Sequence, residues 1–224
     1  AKLYVDAFNA RASAGDFSSQ DQFDRARGEL VDRQDDLDAT YAAIEANVAE
    51  YNSLVDAALD PERGFVSKRE RADEYGWRHF GDLPADHESA HLPPGEVNIS
   101  HYNNQYDALA CFAIHYLRSA DRRWFTLMCE LASHVRDIDI YHTSGDKAAY
   151  NGGLFWHTDH YVDAGTSTHR TYPTGTIGGG PSNEHNYNVG FLLHFLLTGD
   201  ERSRDTAIGL GQWVLDMDEG SKTV

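Results

Sequence analysis

Lysine is nearly missing from this sequence: four occur among 224 residues, against 36 acidic side chains. The formal net charge of −17 repels phosphate backbones and anionic headgroups, so neither nucleic acid nor a membrane surface is an expected partner. Aspartate outnumbers glutamate 24 to 12, which fits a salt-tolerant surface and an ordinary acidic protein equally well. Cysteine is almost as scarce. Cys111 and Cys129 form no CxxC pair, which excludes a cysteine zinc site and leaves two buried free thiols as the expectation. No apolar run approaches the roughly 20 residues that cross a bilayer. No leader pattern opens the chain, yet it begins at Ala1 rather than methionine; a removed leader, a larger parent chain, and a cytoplasmic or secreted location all stay open. What is abundant is apolar side chain, at 41%, enough for a packed core.

The apolar positions carry a helical period. Phe23, Leu30, Leu37, Tyr41, Ile44, Val48, Tyr51, Val55 and Ala58 recur at steps of three, four or seven. They predict one long helix, or two end to end, over 21–58, stopped by Asp60-Pro61. Residues 1–20 read as an arm or linker, and residues 62–100 as mostly irregular. A helical hairpin follows. Ser100 can cap a helix over about 101–119. Asp121 can cap its partner over about 122–138, with Trp124, Leu127, Met128, Leu131, Val135 and Ile138 inward. A second hairpin spans about Ser182–Thr198 and Asp200–Met217, with Gly199 as the stop between its helices. Two domains result, 1–58 and 59–224.

The two hairpins are an internal repeat. A gapless shift of 79 residues superposes Asn104 on Asn183, Phe112 on Phe191, His115 on His194 and Asp121 on Asp200. It also superposes Arg123 on Arg202, Leu131 on Leu210, and Asp137 and Asp139 on Asp216 and Asp218. Hairpins of this kind stack sideways, each burying the face its neighbour exposes. The fold class expected is all-α: repeated helical hairpins in an α/α toroid or an incomplete arc of one, with long loops at one end. The loop 140–181 is far longer than a usual helix connection.

The unusual segments all converge on that end: EYGWRHFGD (74–82), SHYNNQYD (100–107), DIDIYHT (137–143), YNGGLFWHTDHY (150–161), THRTYP (168–173) and SNEHNY (182–187). Three readings compete. His157, Asp159 and His160 resemble part of a set for a divalent metal, zinc or calcium, although HxxH outside a helix is a weak signal and no cofactor is firmly implied. The mixture of Trp, Tyr, Asn, Asp, His and Arg also suits a sugar, whose C–H faces stack on rings and whose hydroxyls take hydrogen bonds. On a uronic acid it suits β-elimination: His and Tyr for proton transfer, Asn or Arg against the carboxylate. Hydrolysis needs two carboxylates instead, and Asp82, Asp107, Asp139, Asp159 and Glu184 are candidates. The third reading is packing alone. It applies most to Asp137 and Asp139, whose recurrence at 216 and 218 favours helix-end hydrogen bonds.

GWRHFGD (76–82), SHYNNQYDAL (100–109), DIDIYHT with His134 before it, YNGGLFWHTDHY and GGGPSNEHNY (178–187) together resemble the α/α-toroid domain of exo-rhamnogalacturonan lyase-like proteins and related bacterial polysaccharide-degradation proteins. The resemblance covers roughly residues 60–219. It implies a toroid, commonly joined to β-sandwich domains, acting on uronate-containing polysaccharide. It assigns no residue roles. Two departures stand out: the chain is too short to close a full toroid, and residues 1–58 match nothing in the family.

The expected function is therefore a polysaccharide lyase-like domain, with a glycoside hydrolase or a non-catalytic glycan-binding scaffold as alternatives. His142, His157, His160, Tyr161, His185 and Tyr187 are the candidates for proton transfer. Trp77, Arg78, His79, Asp82, Asn103, Asn104, Trp156 and Arg170 are the candidates for substrate binding. The expected partner is an acidic oligosaccharide or polysaccharide, with further domains or self-association through the N-terminal helix.

Overall fold

The computed structural model describes residues 2–15, 19–73, 75–85, 100–101, 104–145, 148–155, 181 and 185–218. These residues are mostly helical, and they divide into two compact units, Ala1–Ala58 and Leu59–Val224.

The first unit holds α1 (Lys2–Ser13) and α2 (Gln20–Ala58). The arm expected over 1–20 is thus a helix for most of its length. Phe8 of α1 meets Phe23 of α2 at 5.5 Å between ring centres, which explains why the stripe on α2 begins with an aromatic residue. Further along, Tyr41, Ile44, Val48 and Tyr51 stay exposed. The expected stripe is one continuous 39-residue helix.

The second unit begins where the Asp60 carboxylate accepts the backbone N–H groups of Glu62 and Arg63, turning the chain at Pro61. A short helix, α3 (Phe65–Ala72), follows. A two-residue antiparallel pair then joins β1 (Pro84–Ala85) to β2 (Ser100–His101), with Pro84 opposite His101. Ser100 therefore starts no helix. The first hairpin helix, α4 (Ala108–Ser119), is capped instead by Asp107, whose carboxylate accepts from the Ala110 N–H. Apolar period alone could not show this start, because it lies where Tyr106 and Asp107 swing to positive φ, 53° and 57°.

The hairpins are α4 with α5 (Arg122–His134), and α6 (Val189–Thr198) with α7 (Glu201–Asp218). Both first helices pack side by side, and α6 also touches α5. Leu109, Phe112, Trp124, Leu127, Met128, Leu131, Phe191, Leu210 and Trp213 fill the space between them. Each such burial stabilises by about 1.5–3 kcal/mol. Cys111 and Cys129 are free thiols, but neither is buried as expected: Cys111 is exposed and Cys129 half-buried.

The 79-residue repeat is repeated in hydrogen bonds. Ser119 Oγ donates to His115 O at 2.7 Å and accepts from Asp121 N–H at 3.1 Å. Thr198 Oγ1 donates to His194 O and accepts from Asp200 N–H at the same two distances. Ala120 and Gly199 both close their helices in the left-handed region. Asp121 binds the Arg123 guanidinium and backbone N–H, as Asp200 binds those of Arg202. His115 stacks on Trp124 at 4.7 Å, while His194 bonds Ser203 at 2.8 Å, and position 203 is 124 plus the same shift.

The repeat breaks at the far end of α5. Residues 135–139 widen into a π-helical turn closed by Ile140 N–H to Val135 O. The equivalent stretch of α7 stays α-helical to Asp218. Single π turns recur where a helix must re-aim a side chain for function.

Candidate functional site

The described parts of the sequence-predicted segments meet in two clusters at the end of the unit opposite the short turns. The first is aromatic and accessible. The second is buried and charged. The segment 100–107 contributes to both.

The accessible cluster joins Tyr106 to His185 and Tyr187. Tyr106 is 69% exposed. Its ring lies edge-on to His185 at 6.3 Å and 6.5 Å from Tyr187. His185 Nδ1 is 3.2 Å from the Tyr187 hydroxyl. Burial, with Tyr106 and Asp107 nearby, pushes the Tyr187 phenol above its usual range, so it keeps its proton at neutral pH. A side chain at positive φ outside glycine costs about 1–3 kcal/mol, and such residues gather at functional sites.

Asp107 and Asn104 position this cluster. The Asp107 carboxylate accepts from Ala110 N–H on α4 and from Gly190 N–H on α6, tying the two helix starts together. Gly190 has no room for a side chain, because a Cβ would collide with Ala110 N, Leu109 and Asp107 itself. Burial raises the Asp107 carboxyl pKa, and the hydrogen bonds from Gly190 and Ala110 oppose that. Asn104 is fully buried. Its Oδ1 accepts from Leu109 N–H at 3.0 Å and its Nδ2 points at Tyr187 O and Asp107 at 3.4 Å. Asn104 therefore holds the site together instead of reaching a sugar.

The buried cluster joins His79, Asp82, His101, His134 and Asp139, drawn from GWRHFGD, SHYNNQYD and the end of α5. All five are at most 6% exposed. Asp82 Oδ2 lies 3.7 Å from His79 Nδ1 and 3.4 Å from His101 Nε2. Asp82 Oδ1 accepts the Leu83 N–H at 2.8 Å and is 3.5 Å from His134 Nε2. The other face of His134 is fixed by a 3.0 Å hydrogen bond from Nδ1 to Phe80 O. Its Nε2 is 3.2 Å from Asp139 Oδ1. Burial opposes a charge on His134. The Asp139 and Asp82 carboxylates and the Phe80 carbonyl outweigh it, raising the pKa to about 9, so both nitrogens donate at neutral pH.

Local sequence explains how GWRHFGD is held there. Arg69 of α3 binds Glu130 of α5 at 2.7 Å and donates to Asp82 O at 3.1 Å. Gly81 has φ +83° and presses on the Glu130 backbone, where a Cβ would collide with the carbonyl oxygen. Glu130 and His134 sit one turn apart on α5, so one helix face grips the whole segment.

The opening of YNGGLFWHTDHY is also placed. Tyr141 N–H donates to Gly153 O, Gly152 N–H to Tyr141 O, and Phe155 N–H to Asp139 O. Trp213 Nε1 donates to Ala149 O, and a Cβ on Gly153 would sit 2.8 Å from the Trp213 ring. The glycines thus let this turn lie directly on Trp213.

The remaining candidate residues fall into five groups. His185 and Tyr187 come together. Trp77 is 75% exposed, with the half-buried Arg78 guanidinium 5.5 Å over its ring. His79 and Asp82 face each other inside the protein, so a direct sugar contact is corrected to membership of the buried cluster. His142 is exposed and its Nε2 donates to Arg136 O at 2.7 Å, apart from the His185–Tyr187 pair. Asn103, Trp156, His157, Asp159, His160, Tyr161 and Arg170 lie outside the described residues. Sequence reading missed Tyr106, His101 and His134 as members of these clusters. The spacing of His79 and Asp82 three residues apart was the available signal for the buried one.

No protein-family model, curated protein or solved structure matches this chain.

Proposed function

We propose that this chain is a carbohydrate-active domain that cleaves uronate-containing polysaccharide by β-elimination. The observation that carries this reading is the His185–Tyr187 pair beside the exposed, conformationally strained Tyr106. When His185 carries its hydrogen on Nδ1 and donates it to the Tyr187 oxygen, Nε2 is a base and the phenol O–H remains a donor. His185 then takes the proton from the carbon next to the uronate carboxylate, the β C–O bond breaks, a C=C bond forms, and Tyr187 protonates the departing oxygen. Its raised pKa keeps the phenol protonated in the resting state. Tyr106 offers a ring for the sugar's C–H face.

Among the described residues, the candidate carboxylates favour elimination over hydrolysis by what they do; Asp159 and Glu184 lie outside those residues. Asp107 holds two helix starts, while Asp82 and Asp139 flank the buried His134. None of the three presents a solvent-facing pair across a cleft. The test is incubation with a panel of pectic and other uronate polysaccharides, following ultraviolet absorbance of the new C=C bond. Tyr187→Phe is expected to lower the rate by about 10²–10⁴-fold with binding retained. Binding without any unsaturated product, by an intact parent protein, makes the domain a glycan-binding scaffold and sinks the elimination mechanism.

A further inference from the structure

We propose that His79, Asp82 and His101 form a zinc site, separate from the His185–Tyr187 pair, that clips residues 79–82 to strand β2. Their ligand atoms lie within 4.8 Å of one another, and all three side chains are buried. Two imidazole nitrogens approach one carboxylate oxygen, Asp82 Oδ2, at 3.4 and 3.7 Å. The usual N–H···O hydrogen bond is about 2.9 Å. Two ligands on one tetrahedral zinc stand about 3.4 Å apart, given metal–ligand lengths of about 2.0–2.2 Å. Both distances to Asp82 Oδ2 are longer than that hydrogen bond and close to the separation of two ligands on one zinc.

The surroundings are those of a ligand set held in place. The second oxygen of Asp82 is fixed by the Leu83 N–H, and His134 stands against it, anchored by Phe80 O and Asp139. Such outer partners orient a metal's carboxylate ligand. Two imidazoles and one carboxylate select zinc or a neighbouring transition dication over calcium, which prefers oxygen alone. Burial makes the site a structural clip between positions 82 and 101, and because its ligands come together only in the folded chain, metal binding adds directly to folding stability.

The experiment uses the full chain, stripped with chelator, reloaded with zinc or cobalt(II), and dialysed. About one metal per chain is expected, with the ligand-field spectrum of tetrahedral cobalt and a higher melting temperature. Asp139→Asn, which loosens the His134 that stands against Asp82, is expected to weaken binding. His101→Cys is expected to add a sulfur-to-cobalt charge-transfer band, a signature that a merely structural histidine cannot give. His115→Gln, on α4 away from the cluster, is expected to leave metal content and the cobalt spectrum unchanged. A parent chain that retains neither metal overturns the proposal. So does a folded His79→Gln/His101→Gln double variant that still holds zinc, or a metal-loaded His101→Cys chain without the new band. Elimination activity is not part of the readout, so failure here leaves the proposed reaction standing, and the reverse.

Discussion

Substituting Gly81 by alanine should unfold much of what holds the candidate site. Gly81 has φ +83°, where a residue with a Cβ is strained by about 1–2 kcal/mol. The added carbon would also meet the Glu130 carbonyl oxygen, carbon and Cα, which are α5 backbone and cannot swing aside. Overpacking of that kind costs about 1–3 kcal/mol more. The sum is about 2–5 kcal/mol, and at about 2–4 °C per kcal/mol for a chain of this size the melting temperature should fall by about 4–20 °C. Two other glycines separate the contributions. Gly76 has φ +93° and open space around its Cβ position, so Gly76→Ala should cost the strain alone, about 1–2 kcal/mol. Gly209 lies inside α7 with nothing within 4 Å, so Gly209→Ala should stabilise by up to about 1 kcal/mol through helix propensity. Thermal and urea unfolding followed by circular dichroism measures all three. The reasoning fails if Gly81→Ala melts within a degree or two of the parent, or if it is no worse than Gly76→Ala. The first outcome means the GWRHFGD turn is not pressed against α5. The second means the close approach adds nothing beyond backbone strain.

Two further predictions concern the packing that supports the site. His194 is buried against Ser203, and burial lowers its pKa below the ordinary value near 6.5. The unfolded chain then binds more protons than the native one as pH falls below that value, so the stability present above it is progressively lost on acidification. His194→Gln should lessen the fall in urea midpoint between about pH 7 and 5, and an unchanged fall would remove His194 as a contributor. Trp213 clamps the 149–153 turn through its Nε1 bond to Ala149 O and its contact with Gly153. Trp213→Phe should cost about 1–3 kcal/mol, read as a lower urea midpoint at unchanged slope, and a neutral result would mean the turn is held elsewhere.

How much of this could be read from residue order differs by element. The helix interiors were legible, because the apolar faces of α2, α5 and α7 recur every three or four positions whatever they pack against. The Asp121 and Gly199 turns were legible too, since capping chemistry is local. The starts of α4 and α6 were not. Asp107 caps α4 only because Tyr106 and Asp107 adopt positive φ and because α6 brings a second N–H to the same carboxylate. That second condition involves residues 83 positions apart. The buried cluster was hidden for the same reason. His134 reads as an ordinary helix position, and His101 as one polar residue among several, until Gly81 lets its segment settle on α5. Helix α1 was missed because the second half of residues 1–20 is small and polar, and because the ring that Phe8 meets lies on another helix.

The repeat and its failure explain why the buried cluster occurs once among the described residues. Both hairpins join their helices with the same turn, down to the hydroxyl and aspartate–arginine bonds. A repeat kept intact would leave Asp137 and Asp139 equivalent to Asp216 and Asp218. They are not equivalent in place. Asp218, the counterpart of Asp139, ends the regular helix α7 in an exposed position, whereas the π turn after α5 carries Asp139 inward against His134. One widened turn therefore converts a helix-end acid into the anchor of a buried histidine. That histidine in turn fixes Phe80 O and Asp82. The identity of the aspartates is inherited from the repeat, and their chemistry comes from the single place where the repeat is broken.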